Sequence, residues 1–186
     1  NMMESYLSNV EKIPEALSAV LSNFPYDTTR NSTLIKDILK DNPGVYGICI
    51  AFEPSARKDS LPYAPYYYRN KDSVVYTDLA KEEYKYEMWD WYQIPFVLKR
   101  AIWSEPYYDS GGGENLMITY SVPFVDKVSG KTRGIVTADV DLTQLRNVIS
   151  NIKILQNGYA FAISRFGTFI SHRDSSLILN EKVFSL

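Results

Sequence analysis

Arg133-Gly134-Ile135-Val136-Thr137-Ala138-Asp139-Val140-Asp141-Leu142 is the stretch on which the fold turns. Its alternation sends Val136, Ala138 and Val140 to one face and Ile135, Thr137 and Asp139 to the other, which is the period of a β-strand. Just upstream, Leu116, Ile118, Tyr120, Val122 and Phe124 alternate with Met117, Thr119 and Ser121 and predict a second, half-buried strand. Ser129-Gly130 between the two reads as a hairpin turn. Residues 142–151 are patterned as a helix, with Asp141 placed to cap it. Asp139 therefore sits at a strand end between Ala138 and Val140. A carboxylate there is costly unless a cation or a hydrogen-bond donor meets it, and that marks Asp139 as a candidate functional residue.

Working toward the N-terminus, residues 45–52, 64–69 and 74–76 read as three more strands, the last two separated by the turn Asn70-Lys71-Asp72-Ser73. Before them the period is helical. Tyr6, Leu7, Val10, Ile13, Leu17, Val20 and Leu21 form one apolar stripe on a helix over residues 3–24, which Pro14 is expected to kink or divide. That stripe fits a dimer face as well as a cover for a sheet. A shorter helix is expected over residues 32–40, capped by Asn31 or Ser32, before the turn Asn42-Pro43-Gly44. Residues 81–98 read as a short helix and a loop, and Gly111-Gly112-Gly113 as a hairpin or loop hinge. Residues 158–163 and 168–171 make a last hairpin. The class is α+β: helices, a five-stranded antiparallel sheet with a long loop inserted, a helix, and the start of another sheet.

Composition narrows the function. The 186 residues carry 20 Lys and Arg against 22 Asp and Glu, a balance that argues against nucleic-acid binding. No apolar run approaches the roughly 20 residues that span a bilayer. Cys49 stands alone within an apolar strand, so an internal disulfide is excluded and a small buried hydrophobe is the simple reading. A catalytic triad would need the single histidine, His172, which lies in a polar stretch. Tyrosine is abundant: ten of the 15, and all three tryptophans, fall between Leu61 and Tyr108. Such a cluster fills a core or lines a pocket for a ring or a cation.

The order of these elements, and the strings 63–69 (YAPYYYR), Asp90-Trp91-Tyr92, 103–109 (WSEPYYD) and 134–142 (GIVTADVDL), resemble the extracytoplasmic double Cache (dCache, PAS-like) sensor domains of bacterial and archaeal transmembrane receptors. Gly158-Tyr159-Ala160-Phe161 and 167–172 (GTFISH) resemble the opening of that family's second subdomain. The resemblance implies a helical stalk with a second helix over residues 1–40, a ligand-binding membrane-distal subdomain over 41–150, and the beginning of a membrane-proximal subdomain over 151–186. It implies an extracytoplasmic position at the cell membrane and flanking membrane spans outside this sequence. The full receptor is expected to be a homodimer, and the excised region weakly dimeric or monomeric. The output, in a histidine kinase, phosphatase, cyclase or chemotaxis domain, is not encoded in these residues.

In the amino-acid-sensing branch of that family, a spaced set of residues holds the ligand. Carried over by position, the Trp-Tyr pair falls on Trp91 and Tyr92, the later aromatic on Tyr107, the acid on Asp139, and the preceding Tyr on Tyr84, with Tyr86 as its rival. Where that branch carries an Arg, this sequence has Trp89, so the bidentate carboxylate clamp is missing. Asp90 lies beside these aromatics, or caps a turn. The implied ligand is a small amine, with amino-acid-like metabolites second; Tyr84, Trp89, Asp90, Trp91, Tyr92, Tyr107 and Asp139 are the expected ligand-binding residues. Trp91 and Tyr92 have a second reading as packing residues. No catalytic residue, metal or cofactor is expected. The alternatives are a carbohydrate-active enzyme or sugar-binding module using Glu105, Asp109 and Glu114 among the aromatics, and a purely structural dimerisation module.

Overall fold

The computed structural model describes residues 2–23, 28–57, 60–71, 73–152, 154 and 158–185. Phe24, at the expected end of the first helix, and Asp72, in the expected 70–73 turn, lie outside them. Helix α1 (Met2–Asn23) runs as one helix through Pro14, which is buried within it. Helix α2 (Thr28–Asp41) begins earlier than expected, so Asn31 and Ser32 are interior residues rather than caps. Ser32 instead exchanges a hydrogen bond with the Tyr67 hydroxyl at 3.1 Å.

The strands β1 (Gly47–Phe52), β2 (Pro65–Asn70), β3 (Ser73–Asp78), β6 (Leu116–Val125) and β7 (Thr132–Asp141) form an antiparallel sheet in the order β3-β2-β1-β7-β6. The sheet gains two short strands that the sequence pattern did not reveal, β4 (Ile102–Trp103) and β5 (Tyr107–Tyr108), both paired with β6. Two residues are too few to carry a legible period. Between β3 and β4 lie a 3-10 turn (Tyr86–Met88) and helix α3 (Asp90–Leu98). Helix α4 (Leu142–Ser150) follows β7, and the Asp141 carboxylate caps it by accepting from the Gln144 amide at 2.9 Å, as expected. The chain ends in the small hairpin β8 (Ala162–Ile163) and β9 (Phe169–Ser171), tied to α4 by Arg146 Nε donating to the Ile170 carbonyl at 3.0 Å.

Both faces of the sheet are covered. Ile48, Ile50, Phe52, Ile118, Tyr120, Val122, Val136 and Ala138 pack against Val10, Leu17 and Leu21 of α1, Ile35 and Leu39 of α2, and Leu145 and Ile149 of α4. Most of the apolar stripe of α1 is thus spent on its own sheet: Val10, Leu17 and Leu21 are buried, Tyr6, Leu7 and Ile13 partly so, and Val20 stays exposed. On the opposite face Cys49, Ala51, Tyr66 and Ile135 pack against Leu79, Tyr84, Tyr86, Trp91 and Tyr92 of the segment between β3 and β4. β6 is therefore buried on both sides rather than half-buried, because the aromatic insertion folds back over the face expected to meet solvent.

Candidate functional site

The insertion covers the sheet but leaves a small chamber at the β1–β7–β6 end, lined by Cys49, Tyr66, Leu79, Tyr84, Trp91, Tyr107, Asp109, Thr137 and Asp139, with a volume of about 10 Å³. Sheet register sets its floor. Thr119 and Asp139 are cross-strand partners on β6 and β7, and Gly47 pairs with Asp139 from β1. Asp139 is 3% exposed. Its carboxylate accepts from the Tyr66 hydroxyl at 2.7 Å and from Thr119 Oγ1 at 2.8 Å. Because the Thr119 proton is committed to the carboxylate, Thr119 accepts from Tyr107, whose hydroxyl lies 2.7 Å away.

A second acid, Asp109, stands over the chamber and is 2% exposed. The Tyr84 hydroxyl donates to it, the Gly113 amide donates at 2.6 Å, and Trp91 Nε1 donates to Tyr84 at 3.2 Å. Close approach of backbone makes both arrangements possible. A methyl at Gly47 would lie 2.3 Å from the Tyr66 hydroxyl, and one at Gly112 would lie 2.3 Å from an Asp109 oxygen. The glycine run, expected as a hairpin or loop hinge, is a tight turn wrapped around a carboxylate.

Electrostatically the chamber is an acid pair in an apolar wall. Burial pushes the Asp139 carboxyl up to about 7; the Tyr66 hydrogen bond works against this, the neighbouring Asp109 adds to it, and Thr119 opposes it. Burial likewise raises Asp109, against the pull of Tyr84 and the Gly113 amide. Tyr66, Tyr84 and Tyr107 are all raised by burial and then by the acids, so they stay neutral donors. Among the described residues no basic side chain forms an ion pair with either acid.

Of the residues expected to bind ligand, Tyr84, Trp91, Tyr107 and Asp139 come together around the chamber. Trp89 stacks on Tyr84 with ring centres 5.0 Å apart and lies 5.6 Å from Tyr107, closing the chamber from outside. Trp89 and Asp90 line an outer cleft of about 410 Å³ with Trp91, Glu105 and Tyr107. Asp90 itself is exposed in the first turn of α3. Tyr92 lies in neither space: its ring stacks on Phe96 and its hydroxyl donates to Glu53 at 3.1 Å, which is the packing reading. Tyr86 is also packing, donating to the Phe52 carbonyl at 2.6 Å.

Sequence reasoning missed Tyr66 and Thr119 as members of the site and named Asp109 only for the carbohydrate-active alternative. The alternation of β6 and β7 carried the signal for Thr119, since it shares the face of Asp139. Tyr66 and Asp109 needed the register of β2 and the path of the insertion. Glu105, Asp109 and Glu114 do not share one cleft. Asp109 is enclosed, Glu114 holds the Gly111 amide at 2.6 Å, and Glu105 accepts from the Phe166 amide at 3.2 Å. With Asp109 enclosed and the other two carboxylates held by backbone amides, the carbohydrate-active alternative is not favoured.

An antiparallel sheet covered on both faces, with a chamber under an aromatic insertion, defines an α+β domain. The family model for the methyl-accepting chemotaxis protein-like first PDC sensor domain matches residues 32–147, and the chain belongs to that family. It is 30% identical over 89 residues to the methyl-accepting chemotaxis protein PscA of Pseudomonas syringae pv. tomato, a match spanning 48% of this chain and 14% of that receptor. The extracellular domain of mmHK1S-Z3, a histidine kinase candidate, superposes with a TM-score of 0.85 at 23% identity, over 100% of this chain and 70% of that one. The ligand-binding domain of the Pseudomonas aeruginosa amino-acid chemoreceptor PctC, solved with GABA, gives 0.69 at 20% identity, over 96% of this chain and 73% of that one. These likenesses establish the PAS-like Cache fold expected from the sequence. No described helix is long and apolar enough to cross a membrane.

Proposed function

We propose that this chain is the extracytoplasmic sensing region of a transmembrane receptor, and that its chamber takes the ammonium group of a small amine or amino-acid-like metabolite. The observation that carries this is the pair of buried acids, Asp139 and Asp109, with aromatic walls and, among the described residues, no ion-paired basic side chain, Lys81 acting on Asp109 only through its field. Two such groups are costly in the empty fold, and a cation between them would offset that cost. Trp89 in place of a carboxylate clamp favours an amine over an unmodified amino acid. GABA in the PctC domain is a ligand with an ammonium group on the same fold.

At about 10 Å³ the chamber holds at most one water molecule, so a ligand must displace the wall formed by Trp91 and Tyr107 that separates it from the outer cleft. That displacement supplies a difference between free and bound states that a receptor can transmit. On this reading residues 1–40 are stalk and second helix, 41–150 the distal subdomain, and 151–186 the opening of a proximal one. The same reading has the full receptor as a homodimer carrying the change across the membrane.

The test is a thermal-shift series with simple amines, GABA, α-amino acids and small carboxylates on the wild type and on Asp139→Asn. A ligand at a hundredfold excess over Kd stabilises by about 2.7 kcal/mol, which at this size raises Tm by roughly 5–10 °C. Cationic compounds should produce that rise and the variant should lose it. A response confined to carboxylates, or one that survives in the variant, overturns the reading.

A further inference from the structure

Ser121 projects from the same face of β6 as Thr119, two residues or about 7 Å further along. It is 1% exposed, and among the described residues its Oγ has no hydrogen-bond partner. It lies in the wall of a groove of about 250 Å³ between α3, β4 and the turn at Arg165 and Phe166. Ile94, Leu98, Ile102, Trp103 and Phe166 give the groove its apolar lining, and Ile94, Leu98 and Phe166 keep substantial exposed area. Asp90, Glu105 and Arg165 supply its charges. Trp91 lines both this groove and the acid chamber, so one indole ring separates the two.

We propose that this groove is a second binding site, taking a small uncharged molecule with an apolar body and one group that hydrogen-bonds to Ser121. Three features select that chemistry. The volume lies just below the roughly 300–1,000 Å³ of sites for drug-sized ligands, which suits a single ring or a branched aliphatic chain. The buried polar group is a lone hydroxyl, which could not neutralise a charged ligand group placed against it. Asp90, Glu105 and Arg165 also line the groove, yet among the described residues none bonds the Ser121 hydroxyl, which leaves it for one hydrogen-bonding group of a ligand. The inference does not depend on the amine reading, because none of its lining residues is one of the two buried acids.

The experiment is a titration of the ¹⁵N-labelled chain with benzyl alcohol and, separately, with toluene, following the indole N–H signals of Trp91 and Trp103. Benzyl alcohol should give saturable shifts at both, with toluene binding about tenfold more weakly, the size of one net hydrogen bond. Ser121→Ala should bring benzyl alcohol down to the toluene level and leave toluene unchanged. Ile94→Trp, at a partly exposed wall position, should block both. Asp139→Asn should leave both titrations as they are, so failure here is separable from failure of the amine reading. Absence of saturable shifts at millimolar probe overturns the proposal. So do equal affinities for the two probes, indifference to Ser121→Ala, or unchanged binding in Ile94→Trp.

Discussion

Thr119 and Asp139 face each other across the β6–β7 pair, and the Thr119 hydroxyl donates to the Asp139 carboxylate at 2.8 Å. The register that aligns them also brings Gly47 of β1 beside Asp139, and over that glycine the Tyr66 hydroxyl reaches the second carboxylate oxygen at 2.7 Å. The site is therefore a property of strand pairing. A slip of one residue in β6 would turn Thr119 toward α1 and leave Asp139 short of a donor.

Stability should depend on pH through Asp139. Its folded carboxyl titrates near 7, above the ordinary carboxylate value, so the folded state holds a proton that the unfolded chain gives up. The contribution is fully present below about pH 4 and is lost as pH rises through 7; Asp109 works in the same direction. The unliganded protein should melt higher at pH 5 than at pH 8, and Asp139→Asn should flatten that difference, by on the order of a few kcal/mol. Binding of a cationic ligand should run the other way and strengthen toward pH 8. Parallel Tm profiles for wild type and variant between pH 5 and 8 would contradict this account.

Gly47→Ala tests the close approach of Tyr66. The added methyl would stand 2.3 Å from the hydroxyl and 2.6 Å from Cε2, so the ring must move and its bond to Asp139 must break. Overpacking of this kind costs about 1–3 kcal/mol. Chemical denaturation should register that loss, and the Asp139 pKa should rise further once a donor is gone. A variant as stable as wild type would mean the Tyr66 ring has room that the fold does not display.

The main strands, the Asp141 cap and the candidacy of Asp139 were legible because each rests on local periodicity or on one residue's cost of burial. Tyr84, Trp91 and Tyr107 were reached through family resemblance, and chain geometry brings them to one chamber. Asp109 was legible only as an acid among aromatics. Its role depends on the tight turn at 110–113 and on the Tyr84 hydroxyl, neither of which leaves a period in the sequence. Tyr92 was drawn in by its neighbour Trp91, yet consecutive residues on a helix point about 100° apart, which sends its ring to Phe96 and Glu53. The two faces of β6 misled for a different reason. Alternation reports what a strand can bury on each side, and the insertion that covers the second face is distant in sequence.

The α1 stripe gives a prediction about assembly. Leu17 is buried against the sheet, so Leu17→Ala should cost about 2–5 kcal/mol of stability. Sedimentation of the folded variant should match wild type, since the side chain lies inside the chain's own core. Val20, on the exposed side of the same helix, should tolerate alanine within about 0.5 kcal/mol. A change in association state with Leu17→Ala at unchanged stability would return the stripe to a dimer interface.

If the chamber takes a ligand as proposed, Trp89→Arg should change what kind it accepts. The indole now donates to the Tyr84 carbonyl at 3.0 Å, stacks on the Tyr84 ring, and forms part of the outer cleft. Replacing it removes an aromatic pair worth about 0.5–1.5 kcal/mol beyond its buried area. An arginine there has two rings to lie against, Tyr84 and Tyr107, and its guanidinium would face the cleft through which a ligand enters. A ligand carboxylate could then be held by two parallel hydrogen bonds, each worth about 1.5–3 kcal/mol. Calorimetric titration should show α-amino acids gaining at least about tenfold over simple amines relative to wild type. The new cation should also lower the nearby acids, so the fall in Tm between pH 5 and pH 8 should shrink. If selectivity and pH profile both stay as in wild type while the fold remains intact, Trp89 is a surface ring and the missing clamp has no bearing on the ligand.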